Sequence, residues 1–386
     1  MEFKPELAAF KVKLRGALIQ ERIKAVIAFL LIVLFATPMV AQTRYQGLPV
    51  IKANQKRISY RVNDELHQDS WNISPELQPD ELTVPCKMPV TTVAFYTGLD
   101  SITYQITPGQ SERFYVLWNG KYALTAIKGV AYVPPAIFSD QYVRAHQGKY
   151  FVEVPEVQEF VHIAFALTPT GLADKNMVEH STAYYQEVMQ HFKPYSKEPI
   201  IAELNKLLQN HLYATLKMDA CSFVFKENKI VKSLVYNRLS WGNENTLTSL
   251  IPQLEALALK SGFRKFYKNH QTHYAALKQE VEKYMPIKKQ WEWCEQHFTN
   301  AKYDSYKITF SPLVRGSHST NRFENNHFSE TVMFICPAIQ LPEYNEKVAE
   351  GLNTRIVFTE IDHNYVNPVS DKYTAQINSV FTDRAK

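Results

Sequence analysis

The residues with the clearest chemical promise lie between Arg355 and Pro368, in RIVFTEIDHNYVNP. Glu360 and His363 stand three positions apart, a spacing that puts a carboxylate and an imidazole on one side of a helix. At about 3.6 residues per turn, Glu360, His363, Asn364 and Asn367 share an arc roughly 100° wide, with Ile356 among them. Phe358, Ile361, Tyr365 and Val366 fill most of the remaining surface. A helix that is apolar nearly all round is normally buried. A buried carboxylate, imidazole and amide then need partners or a metal. Zinc hydrolysis is the chemistry this spacing suggests. In H-E-x-x-H, two histidines one turn apart hold the ion and the glutamate between them acts as base toward its water. Glu360 and His363 keep the glutamate-to-histidine spacing, whereas Thr359 stands where the first histidine belongs. A hydroxyl is a far poorer zinc ligand than an imidazole. The plainer alternative is a Glu–His pair that orients a buried helix.

His318, in GSHST between two predicted strands, is the expected replacement ligand. Its competing assignment is a surface-turn histidine capped by Ser317 and Ser319. His327 in an Asn-rich loop is a weaker candidate, and Tyr365 falls on the core side of the wheel. The aromatic stripe of KKQWEWCEQHF reads as packing, and Glu179–His180 has no partner at ligand spacing. There is no G-x-S-x-G, no P-loop and no G-x-G-x-x-G. Those absences argue against a serine hydrolase and a Gly-rich nucleotide site.

The string HNYVNP after a glutamate, preceded by FSPLVRGSHST and ETVMFICP, resembles the bacterial envelope family called domain of unknown function 4932. DSITYQITPGQSERFYVLWNGKY resembles that family's N-terminal strand region, so the likeness spans most of residues 90–375. The resemblance implies a zincin-like, gluzincin-type fold with an H-E-[FI]-x-H-x-[FY]-V-N-P type of motif. Glu360, His363, Asn367 and Pro368 match that pattern and Thr359 departs from it. It also implies a zinc cofactor and a peptide or protein substrate. Gluzincins take a further glutamate from a helix downstream of the motif. Here the sequence stops at Lys386, with Asp371 and Asp383 as the carboxylates beyond the motif, so the expectation is either a C-terminally truncated domain or a member that dispenses with that helix.

The elements that must position these residues follow from composition and periodicity. The 386 residues are 45% apolar and 21% charged, as in a folded protein. A net charge of +5, partly in the N-terminal tail, is too small and dispersed for a nucleic-acid partner. Residues 25–41, AVIAFLLIVLFATPMVA, follow Lys11, Lys13, Arg15, Arg22 and Lys24, the pattern of a secretory signal peptide over 1–41. The mature protein is expected in the periplasm, the cell envelope or the medium, with no membrane span after cleavage. Cys86, Cys221, Cys294 and Cys336 form no C-x-x-C pair; disulfides or buried free thiols both remain open.

Residues 42–166 read as an antiparallel β-sandwich-like domain, with strands in VTTVAFYTG, SITYQIT, RFYVLWNGKYALTAI, YFVEV and FVHIAFAL. Residues 167–386 read as a mixed α+β, zincin-like domain. Its motif helix is expected to begin after Pro342 and to end at Pro368. The resulting expectation is a secreted zinc-dependent peptidase with Glu360 as base and His363 and His318 as ligands. The alternative is a catalytically inactive zincin scaffold that binds peptide or polysaccharide.

Overall fold

The computed structural model describes residues 43–381, apart from 55–56, 64, 73–79, 242–243, 300 and 340–342. The expected signal segment 1–41 lies outside the described residues. The chain is mixed α+β, its sheets are open, and it divides into two compact units between Ala131 and Tyr132. That division lies well upstream of the expected boundary after residue 166. All four cysteines are free thiols. Among the described residues, no helix is long and apolar enough to cross a membrane.

The first unit is built from β1 (Arg44–Tyr45), β2 (Leu48–Lys52), β3 (Arg57–Val62), β4 (Glu65–Asn72), β5 (Asp80–Cys86), β6 (Thr91–Tyr96), β7 (Ser101–Ile106), β8 (Ser111–Trp118) and β9 (Lys121–Ala131). One sheet runs β1-β2-β8-β9-β5 and the other β4-β3-β6-β7. Both contribute to one core, where the rings of Phe95 and Phe114 meet with centroids 4.9 Å apart. Asn119 and Gly120 form the β8–β9 turn with φ of 48° and 73°, the left-handed pair that a two-residue hairpin requires. The unit is not wholly antiparallel, because β2 pairs with β8 and β5 with β9 in parallel. Between β5 and β9 the chain passes through β6 and β7 of the other sheet, a connection long enough to bring it back in the same direction.

The second unit opens with α1 (Asp140–His146), β10 (Lys149–Glu153), α2 (Glu156–Ala166), α3 (Pro169–Ala173), α4 (Ala183–Phe192), α5 (Pro199–Gln209) and α6 (Tyr213–Ala220). A hairpin of β11 (Phe223–Lys226) and β12 (Lys229–Lys232) follows, then α7 (Ile251–Ser261), α8 (Phe263–Asn269), α9 (Gln271–Tyr284) and α10 (Ile287–His297). It closes with β13 (Ser305–Thr309), β14 (Ser319–Asn325), β15 (Phe328–Phe334) and α11 (Glu346–Phe381). The main sheet is β10-β13-β15-β14, with the first three strands parallel and β14 antiparallel to β15.

Two expected elements differ. The FVHIAFAL segment forms the end of α2 rather than a strand, and every residue from Val157 to Ala166 is buried. A run that is apolar on all sides satisfies a buried strand and a buried helix equally well, and periodicity cannot separate them. Pro368 does not end the motif helix, which continues to Phe381. Proline has no N–H for the carbonyl four residues back, which here belongs to Asn364. That carbonyl instead accepts from the Tyr303 hydroxyl at 2.6 Å and an Arg322 N–H at 3.3 Å. With the orphaned acceptor satisfied from outside, the helix survives its proline.

Candidate functional site

Val357, Ile361 and Tyr365 anchor α11 in the core, and the Tyr365 hydroxyl meets that of Tyr306 at 2.7 Å. The line between buried and exposed surface cuts through the predicted polar arc. Glu360 and Asn364 point inward, at 6% and 1% exposure, while His363, Asn367 and Thr359 are exposed. Asn364 shares two hydrogen bonds with Thr320 of β14, at 3.0 and 3.2 Å, so that strand does lie against the motif helix. His363 Nδ1 sits 3.3 Å from Asn367 Oδ1, and Thr359 donates to the Arg355 carbonyl at 2.9 Å. His327 is exposed at the β14–β15 turn.

The inward side is organised around a residue that sequence patterns did not single out. Lys217 of α6 is 1% exposed, donates from Nζ to the Ser317 carbonyl, and lies over the rings of Tyr213 and Phe334, 5.6 and 5.9 Å from their centroids. Burial lowers its ammonium to about 8, and Glu360, Cys221 and Cys336 pull it back up. Glu360 is shifted up by burial, with His363 and Lys217 opposing. His318 is brought down to about 4 by burial and then by Lys217, and its Nε2 has no hydrogen-bond partner among the described residues. His162 falls to about 3, chiefly by burial; its Nδ1 lies 2.8 Å from the Gln158 carbonyl and its Nε2 is likewise unpartnered among the described residues. The fold therefore brings Glu360 and His318 to a common neighbour, but that neighbour is an ammonium.

These residues, as placed, do not fit a zinc ion. His363 faces solvent toward Asn367, Thr359 is turned onto the helix backbone, and Lys217 supplies positive charge beside the two remaining donors. Among the described residues, no group of three or more His, Cys, Asp or Glu side chains is arranged to hold a metal.

A pocket of about 640 Å³ opens nearby, lined by the segments that follow the C-terminal ends of β13 and β15. Ligands of open sheets with parallel strands commonly sit at this edge. Pro312, Val314 and Arg315 come from the first segment and Cys336 to Ile339 from the second. Cys336 belongs to both neighbourhoods: it lines the pocket, and its thiol, pushed up to about 11 by burial, is held partly down by Lys217. Tyr184 also lines the pocket. Its hydroxyl donates to the fully buried Glu159 at 2.6 Å and meets the Tyr274 hydroxyl at 2.7 Å. Burial raises the Glu159 carboxyl to about 7, although Tyr184, Ser311 and His270 all favour its ionised form.

Glu159 stands one position before the FVHIAFAL segment that reads as a strand, and no motif marks it. Lys217 carries no motif, Arg315 lies in FSPLVRGSHST without any pattern that marks a binding residue, and Glu179, which lines the pocket with Arg315, has no partner at ligand spacing in the sequence. Compared with protein-family models, curated proteins and solved structures, the chain matches none. The zincin-like assignment accordingly rests on Glu360, His363, Asn367, Pro368 and the flanking strand sequences.

Proposed function

We propose that this chain is an exported peptide-binding protein that keeps a zincin-like helix without running zinc chemistry on it. The observation that carries this reading is Lys217, whose buried ammonium acts on both Glu360 and His318 while His363 faces solvent. A dication a few ångströms from an ammonium is opposed by several kcal/mol at an effective dielectric constant of about 20. Lys217 thus adds, after His363, to the positive charge acting on Glu360, a role a metal would otherwise take. The binding function is assigned to the pocket at the strand edge, whose volume suits a short ligand segment. Half of its lining residues are aliphatic or prolyl, which suits the apolar side chain of a peptide better than a polysaccharide, whose hydroxyls need many polar partners. Export is proposed from the basic and apolar pattern of residues 1–41.

Zinc content decides between this reading and a peptidase. The purified protein, incubated with zinc and dialysed, is expected to retain far less than one ion per chain, and His363→Ala is expected to change nothing. Stoichiometric zinc that disappears in His363→Ala would overturn the proposal. It would restore a peptidase with Glu360 as base and His363 and His318 as ligands.

A further inference from the structure

The pocket at the strand edge is apolar over most of its wall and carries opposite charges on two neighbouring side chains. Leu277, Pro312, Val314, Pro337, Ala338 and Leu352 form much of the wall, and Glu179 and Arg315 supply the charge. These two groups are not equally available. Glu179 Oε1 accepts from the Ser181 backbone N–H at 2.8 Å and the Ser181 hydroxyl at 2.6 Å. Its Oε2 accepts from Arg315 at 3.2 Å. Arg315 spends a single N–H on that contact, and its side chain is 54% exposed against 19% for Glu179. Of these two charged groups, it is therefore the guanidinium that keeps N–H groups beyond their mutual contact.

We infer that this pocket seats the apolar C-terminal residue of a peptide, with the terminal carboxylate on Arg315. The inference rests on the peptide-binding reading above and names the end of the peptide that is recognised. A guanidinium presents parallel N–H groups that match a carboxylate, and a charge-assisted pair of this kind is stronger than a neutral one. The ammonium of a peptide N-terminus would have to compete for Glu179, which three donors already occupy. A phosphate fits the same fork, but aliphatic walls and the adjacent Glu179 oppose a dianion. Thr182, Ala183 and Tyr184, at the start of α4, border the same space, so the positive end of that helix adds to the guanidinium. The apolar residue then occupies the aliphatic wall while its carboxylate stays at the charged side.

The test uses fluorescein-labelled pentapeptides ending in phenylalanine, as free acids and as C-terminal amides, titrated with the purified protein and read by anisotropy. The acid is expected to bind about tenfold more tightly than the amide, and Arg315→Gln is expected to erase that advantage. Because the Arg315–Glu179 pair is largely exposed on the Arg315 side, the variant should melt close to the parent temperature. Equal binding of acid and amide, or an advantage that survives Arg315→Gln, would overturn the C-terminal assignment and leave the peptide-binding reading standing. Binding of neither form would remove that reading itself. Displacement of the acid peptide by 3-phenylpropionate at comparable concentration would overturn the peptide as ligand and assign the pocket to small apolar acids.

Discussion

Glu159→Gln is expected to stabilise this protein at neutral and alkaline pH and to leave it nearly unchanged near pH 4. Glu159 is fully buried on α2, and burial raises its carboxyl from 4.5 to about 7 in the folded state. Between those values the unfolded chain has released the proton while the native chain still holds it. Stability contributed by the neutral acid is therefore complete below the unfolded value and is lost as pH rises through the folded one. Integrated over the shift, the loss amounts to roughly 3 kcal/mol. Glutamine cannot ionise, and its side-chain oxygen can still accept the Tyr184 hydroxyl that Glu159 accepts at 2.6 Å. Urea midpoints for parent and variant, measured from pH 4 to pH 8, should diverge with increasing pH in favour of the variant. Parallel curves over that range would show that Glu159 does not hold its proton to neutrality.

Lys217→Met should give the opposite pH signature at the alkaline end. Burial depresses the Lys217 ammonium from 10.5 to about 8. Between those values the unfolded chain binds the proton and the native chain has lost it, so the parent protein gains stability as pH rises. The contribution is present above the unfolded value and lost as pH falls through the folded one, again roughly 3 kcal/mol in all. Methionine fills a similar volume and carries no charge. The difference in unfolding free energy between parent and variant should therefore shift toward the parent between pH 8 and 10.5. The exchange also removes a positive charge acting on Glu360, so its carboxyl should titrate higher in the variant, as read by carbon NMR of labelled glutamate. An unchanged Glu360 titration would show that Lys217 is not its counter-charge, and the case against a metal at this helix would lose its main support.

Local chemistry was legible wherever the physics is local. Asn119-Gly120 between two alternating runs produces a hairpin because left-handed φ is cheap at those residues. Gly262 ends α7 at φ 65° for the same reason. Of the apolar residues that the wheel of α11 sets apart, Ile361 and Tyr365 are fully buried, whereas Val366 is exposed. The sequence by itself also determined that Glu360 would need a partner, since it placed a carboxylate on a mostly apolar helix.

His363, three positions along the same helix, is the first charge to act on Glu360, and only the tertiary structure adds the second. Lys217 reaches the neighbourhood of Glu360 from a helix far away in the chain, and no spacing rule connects the two. Pro368 stays inside its helix because Tyr303 and Arg322, distant in sequence, take the carbonyl it orphans. Glu179 and Arg315 line one pocket although 136 positions separate them. Periodicity and turn chemistry act between neighbours along the chain. The fate of a buried charge depends on the groups that packing brings around it, and those come from the whole chain.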